Sequence, residues 1–348
     1  MSHIKKIEIN NFRCFEKFEI GDFKTINVLV GKSNSGKSCL LESLFIAIDA
    51  NPLMPAGLNN LRGLGYSSEQ LKYLFHNFDL NTAPILKINF SDQRNTELKL
   101  SPNYNIATIN EKPITRLSSS VSKKVIGINL ELKLSSEKIY KASYMLDDEG
   151  NQKNILSDYQ SNITAAFIPP IFLGGFALTC YSELIKKRKE AVILEILQKI
   201  EPKIQGIQAL PEGIFFIYDK MNELVPIQIL GGGIQQAFNI ITQIANEDFN
   251  VIFIDEIETG LHYSAHSELW KGIFALCKTL NTQLFITTHN IETLSSLKEV
   301  LELDEYQSMQ NEMAIFNLVN TKKYGLKAYQ YSFEGIKEAI ELNQEMRY

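Results

Sequence analysis

The segment Gly31-Lys32-Ser33-Asn34-Ser35-Gly36-Lys37-Ser38 constrains this chain more than any other. It runs on from the apolar stretch 25–30 and opens the apolar, helical stretch 39–50. A strand, a glycine-bounded loop and a helix therefore follow in order. The spacing GxxxxGK[ST] is that of a phosphate-binding loop. Glycines let the backbone curl so that several N–H groups face phosphate oxygens, and the helix beginning there adds its positive end. Lys37 would reach the outer phosphates and Ser38 would ligate Mg²⁺. The plain alternative is a Gly-Ser joint; the strand before and the helix after argue against it.

Three further segments fit that loop. Val251-Ile252-Phe253-Ile254 reads as a buried strand whose end presents Asp255 and Glu256. Asp255 would join the Mg²⁺ shell and Glu256 would polarise the attacking water, since in-line attack needs a placed nucleophile. Gly231-Gly232-Gly233 follows Leu230 and opens the helix 234–246, exposing backbone amides to an anion. A second phosphate-directed loop so far from the first makes sense if two subunits share nucleotide. Leu284-Phe285-Ile286-Thr287-Thr288-His289-Asn290 ends another apolar strand with a histidine where a γ-phosphate sensor is expected.

The rest of the chain frames these segments. Strands are expected at 4–12 and 18–20, and a helix near 68–77. An antiparallel β region spans 84–167, with strands at 85–90, 125–134, 139–146 and 165–168 and a turn at Asp148-Glu149-Gly150. A helical stretch at 176–200 precedes Pro202, then strands at 204–210, 213–219 and 223–229. Non-alternating strands at 250–254 and 283–287, with helix 264–280 between them, argue a parallel sheet covered on both faces. A helix at 333–346 closes the chain. The expected division is 1–83, the N-terminal part of the core; 84–168, the antiparallel lobe; 169–229, helical segment and strands; and 230–348, the remainder of the core.

Apolar residues make up 45% and charged residues 22% of 348, so a large core is available and disorder is excluded as the main theme. The net charge of −5 argues against a protein that coats nucleic acid unaided. Cys14, Cys39, Cys180 and Cys277 form no CxxC pair, which fits a reducing cytosol. Lys5, Lys6, Glu8 and Arg13 interrupt the start where a signal peptide needs an apolar run. Pro169-Pro170 and Gly174-Gly175 break the longest uncharged segment, 160–182. A cytoplasmic protein with no membrane span is expected.

Together the motifs resemble the ABC-type ATPases, in particular their SMC, RecF and OLD-like branch and its small AAA-family members without a coiled coil or Toprim domain. The opening Ile9-Asn10-Asn11-Phe12-Arg13-Cys14-Phe15, the loop 31–38, the glycine loop, Asp255-Glu256-Ile257-Glu258-Thr259-Gly260-Leu261-His262 and Thr287-Thr288-His289 carry the resemblance. It implies an α/β P-loop head with a mixed or parallel sheet core, an antiparallel β lobe and a helical lobe. It also implies ATP and Mg²⁺ as cofactors. Lys37, Glu256 and His289 would be catalytic, and Ser38 and Asp255 would hold metal. Gly31, Lys32, Ser33, Asn34, Ser35, Gly36, Lys37, Ser38, Cys39 and Arg13 would bind nucleotide, with Gly231, Gly232 and Gly233 contributed by a second subunit. Residues 258–262 match the segment that crosses the dimer interface. Gly231 stands where the family's signature has serine and Ile234 where it has glutamine, which leaves backbone amides in place of side chains. The family's Q-loop glutamine has no assigned place in this sequence; Gln93, after the strand 85–90, is a candidate.

The implied partners are a second copy or a higher homo-oligomer and a separate effector, a nuclease or toxin in antiphage defence, because 59 residues after His289 are too few for a Toprim domain. A RecF-like DNA-repair ATPase is the alternative, supported by Lys186-Lys187-Arg188-Lys189, four charges on one expected helical turn. A transporter subunit and a small-molecule kinase are opposed by the β insertion and by the second glycine loop. His262 and His266 are spaced for a shared helix face, yet no third metal ligand is evident.

Overall fold

A computed structural model describes residues 3–48, 50–65, 67–105, 124–146, 151–321 and 325–341. The non-alternating runs form the centre of a sheet, as their patterning requires. β3 (Ile26–Val30), β13 (Val251–Ile254) and β14 (Gln283–Thr287) are buried along their whole lengths. They lie in a six-stranded sheet with β9 (Ala165–Ile168), β15 (Met313–Thr321) and β16 (Gly325–Tyr331), in the order β16-β15-β3-β14-β13-β9. All neighbours are parallel except β15 and β16. Ile254 pairs with Ile286, and Thr287 with Leu29, so the carboxyl ends of β13, β14 and β3 lie side by side. β14 thus sits between the strand that leads into the loop and the strand that ends in Asp255.

Helices cover this sheet. α1 (Lys37–Ile48) starts at the loop; α5 (Gly232–Ala245), α6 (Tyr263–Thr279) and α7 (Ile291–Glu302) follow the later motifs. α3 (Gly174–Lys186) and α4 (Ala191–Ile200) pack beside α5, and α8 (Phe333–Glu341) contacts α7. The core they close contains Trp270, Phe274, Phe238 and Ile240, all 1% exposed or less. Burying such side chains is worth about 2 kcal/mol each, which is why the apolar stripes of these helices face inward.

The chain divides into two compact units, one of Met1–Lys5, Gly21–Leu41 and Asn162–Tyr348, the other of Lys6–Ile20 and Glu42–Ser161. The second unit is built on a sheet of order β2-β1-β4-β5-β6-β7-β8. Its strands are β1 (Ile4–Phe12), β2 (Phe15–Gly21), β4 (Ile85–Phe90), β5 (Asn95–Asn105), β6 (Lys124–Leu134), β7 (Ile139–Leu146) and β8 (Gln152–Ile155). From β4 to β8 every pairing is antiparallel. α2 (Leu53–Leu61) and two 3₁₀ turns, Ser68–Leu74 and His76–Phe78, complete it.

Several expectations change. β1 and β2 lie in the seven-stranded sheet with β4 to β8, not in the six-stranded sheet with β3. β9, expected at the end of the antiparallel region, pairs in parallel with β13 instead. Its four residues carry no local signal of their distant partner. The stretch 176–200 is two helices, because Arg188 adopts φ +57° and ends the first. The strand expected at 223–229 shrinks to β12 (Val225–Pro226), paired with β11 (Gly213–Tyr218) beside β10 (Ile204–Leu210). After Pro226, which has no N–H for a ladder, the chain turns as 3₁₀ over Ile227–Ile229. The turn at Asp148-Glu149-Gly150 and the end of the last helix lie outside the described residues.

Candidate functional site

The loop after β3 is shaped by its glycines. Gly31 has φ +139° and Gly36 φ +89°, conformations that side chains oppose. A Cβ on Gly31 would lie 2.5 Å from the Leu318 carbonyl oxygen of β15 and 2.8 Å from Ser35 Oγ. The loop therefore needs glycine both to curl and to rest on the neighbouring strand. Lys32, Ser33 and Asn34 are exposed on its crest, Ser35 is buried behind it, and Cys39 is half-buried in the first turn of α1. Lys37 is 8% exposed, and its Nζ donates to the Gly31 and Lys32 carbonyls at 2.8 Å each. Burial pushes this ammonium below its ordinary pKa, against the opposing pull of Asp255, Glu256 and Glu258. An anion inside the loop would relieve that imbalance of one desolvated cation facing carbonyls.

The carboxylates arrive from β13. Asp255 Oδ1 accepts from Ser38 Oγ at 2.9 Å and from Thr287 Oγ1 at 2.7 Å. Thr287 Oγ1 also accepts the Glu256 N–H at 2.8 Å. One hydroxyl thus joins the end of β14 to both acidic residues, a role that the Thr-Thr-His pattern did not reveal. Glu256 sits at φ +52°, a strained setting for a residue other than glycine, and its side chain is 42% exposed. Ser38 and Asp255 supply two adjacent oxygens, the donor type that Mg²⁺ requires. Because the hydrogen bonds Asp255 accepts come from hydroxyls, its charge stays available to a cation, and the pair fits the ion.

His289 ends the cluster. Its ring Nδ1 lies 3.0 Å from Glu258 Oε1 and 4.0 Å from Glu256 Oε1. Its backbone N–H donates to the same Glu258 oxygen at 3.0 Å. Glu258, expected at an interface between subunits, is buried against the histidine of its own chain. Lys37, Ser38, Asp255, Glu256 and His289 therefore meet at the carboxyl edge of β3, β14 and β13, where open α/β sheets take ligands.

The glycine loop is different. Gly231 caps α5, and a Cβ there would meet nothing within 4 Å. Gly232 is nearly as open, whereas a Cβ on Gly233 would lie 2.5 Å from the Gly260 carbonyl oxygen. Arg13 is held in the second unit: its Nε lies 2.6 Å from Glu42 Oε2, and Nη2 donates to Asn59 at 3.1 Å. Gln93 closes the β4–β5 hairpin at φ +66°.

Three comparisons with known proteins bear on this arrangement. Residues 26–295 match the family described as "AAA domain, putative AbiEii toxin, Type IV TA system". The chain belongs to this family. It is an ATPase of the P-loop class. An ATP/GTP phosphatase of Helicobacter pylori is 24% identical over 341 residues, covering 87% of this chain and 90% of that protein. The SMC head domain of Pyrococcus furiosus, solved with an extended coiled coil and bound to the C-terminal domain of ScpA, superposes with TM-score 0.50 at 10% identity. That match covers 99% of this chain and 100% of the other and shows the ABC-type head fold. An SmcHead bound to the C-winged helix domain of ScpA gives TM-score 0.49 at 12% identity over 97% and 99% of the two chains.

Other candidates in this ATPase have plain roles. Lys186, Lys187 and Lys189 pair with Glu183, Asp248 and Glu247, and the break at Arg188 keeps the four basic residues off one helical turn. His262 caps α6, and His266 is buried against Thr293. Among the described residues no group of three or more His, Cys, Asp or Glu could hold a metal ion. No described helix is long and apolar enough to cross a membrane.

Proposed function

We propose that this ATPase is a nucleotide-driven switch in which two copies close head to tail over ATP. Lys37 and the amides of residues 31–38, with Cys39 at the helix start, take the phosphates. Ser38 and Asp255 would hold Mg²⁺, which when bound supplies positive charge to the phosphate oxygens. Glu256 orients and deprotonates the attacking water, and His289 contacts the γ-phosphate. Gly231, Gly232 and Gly233 complete the site of the other copy through bare amides. Closure and reopening then signal to a separate effector, a nuclease or toxin of an antiphage system.

The observation that carries this reading is the meeting of Lys37, Ser38, Asp255, Glu256 and His289 at one sheet edge, while Gly231 and Gly232 stand open at the start of α5. The toxin–antitoxin description of the family supports the effector. The name of the Helicobacter relative supports triphosphate hydrolysis, with GTP as a second substrate. Direct DNA binding through the basic run is disfavoured, since three of its four charges are already paired.

Mixing two inactive variants tests the reading. Lys37→Ala keeps its glycine loop and Gly232→Asp keeps its phosphate loop. Sites shared between copies predict that each variant alone is inactive and that the mixture regains part of the wild-type phosphate release. A mixture as inactive as its parts contradicts a shared site.

A further inference from the structure

We infer that Glu258 is the positioning residue for His289: one buried carboxylate oxygen grips both the main chain and the ring of the histidine and fixes which ring edge meets the phosphate. The inference rests on the reading that His289 contacts the γ-phosphate, and it assigns Glu258 to its own subunit's site.

The turn after β13 delivers Glu258 to this place. The Ile257 N–H donates to the Thr287 carbonyl at 3.1 Å, pinning the turn to the end of β14. The Leu261 N–H donates to the Glu258 carbonyl at 3.0 Å and closes the turn. The Glu258 side chain is 7% exposed. Its Oε1 lies 3.0 Å from both the backbone nitrogen and Nδ1 of His289. Its Oε2 is buried with no hydrogen-bond partner among the described residues.

A carboxylate without a cation partner is costly to bury. A purely structural residue at this position would be better apolar. Here the one satisfied oxygen serves a single residue twice. With Nδ1 turned to the carboxylate, Nε2 lies on the opposite edge of a ring that is 45% exposed. A histidine whose second nitrogen is held by a carboxylate has its ring plane and tautomer set. Glu256, 4.0 Å away and half-exposed, is too loosely placed for that task and is free for water.

Steady-state ATP hydrolysis by the full chain tests this in a double-mutant cycle of Glu258→Gln and His289→Ala. Glu258→Gln is isosteric but puts a neutral amide oxygen where one carboxylate oxygen holds both the backbone N–H and the ring Nδ1 of His289, so the charge-assisted grip on the ring is lost. The expected result is a kcat lowered roughly 10- to 100-fold with KM within about 2-fold, and an unchanged melting temperature. In the His289→Ala background the same substitution should cost less than about 2-fold, because Glu258 acts through the missing ring. Equal losses in both backgrounds, or wild-type kcat for Glu258→Gln when His289→Ala is slow, would overturn the inference alone. Wild-type turnover by His289→Ala would overturn the role of His289 itself. Should Glu258→Gln melt early, nitrogen NMR of the wild-type protein reads the same contact. A hydrogen-bonded Nδ1–H on His289 supports it and an unprotonated Nδ1 overturns it.

Discussion

Two glycine-rich loops open two helices of the same core, and they are built on opposite plans. The first, before α1, has glycines at φ +139° and +89°, a lysine desolvated behind them and a serine tied to a buried aspartate. The second, before α5, has Gly231 at φ −57° and no charged side chain from Leu230 to Gln236. The first loop carries its own cation and helix start and, on the proposed reading, a metal ligand, so it is equipped to bind an anion unaided. The second offers amides alone. Its third glycine is required by the close approach of Gly260, and a Cβ on either of the first two would press on none of the described residues. A half-site of this kind acquires a purpose when a charged ligand is brought to it already bound elsewhere.

That contrast can be broken at its strong end first. Lys37→Ala should weaken ATP binding by at least about 100-fold in a titration, because a desolvated charge-assisted contact is lost. Without nucleotide, the same variant should gain relative stability at neutral pH. The folded state lowers the Lys37 pKa below 10.5, so it binds fewer protons than the unfolded chain. Wild-type stability relative to Lys37→Ala therefore rises with pH through the window between the lowered value and 10.5. Denaturant melts across that range check the sign. Next, Glu256→Gln should bind ATP normally and hydrolyse it roughly 10²- to 10⁴-fold more slowly in single-turnover phosphate release.

The second loop sharpens the comparison by splitting within itself. Gly232→Asp should leave ATP affinity within about 3-fold and stop turnover, since it places a like charge at the amides offered to phosphate. Gly233→Ala should instead cost about 2 kcal/mol in thermal melts, because its Cβ would press on the Gly260 carbonyl. Gly231→Ala, with open space around it, should melt with the wild type. The smallest expected effect lies away from both loops. Burial lowers the His266 pKa from 6.5, so wild-type stability should fall as pH drops through and below 6.5. His266→Gln should flatten that acid slope.

The same loops show what a sequence can display. The phosphate loop is contiguous, and its glycines, Lys37 and Ser38 announce their backbone and charge requirements within eight residues. Asp255 and Glu256 were legible because four buried apolar residues lead into them. What escaped detection depends on distant pairing. β15 and β16 enter the core sheet beside β3 with no local mark, and β9 finds β13 across 80 intervening residues and more. Arg188 breaks a helix through its φ angle, although arginine is a good helix former. Glu258 was expected at an interface with the rest of its motif, and its bond to His289 joins residues 31 positions apart. The hydroxyl of Thr287 was in view, but its bonds to Asp255 and Glu256 were not.

The central claim is that the two loops complete one another between copies. Light scattering of Glu256→Gln, with and without ATP–Mg²⁺, tests it most directly, since a slow variant should hold the closed state. The account predicts the mass of one chain without nucleotide, or a loose assembly, and a stable two-chain mass with it. A variant that binds ATP–Mg²⁺ and still scatters as a single chain would contradict the account and leave the loop at 231–233 a turn within one molecule.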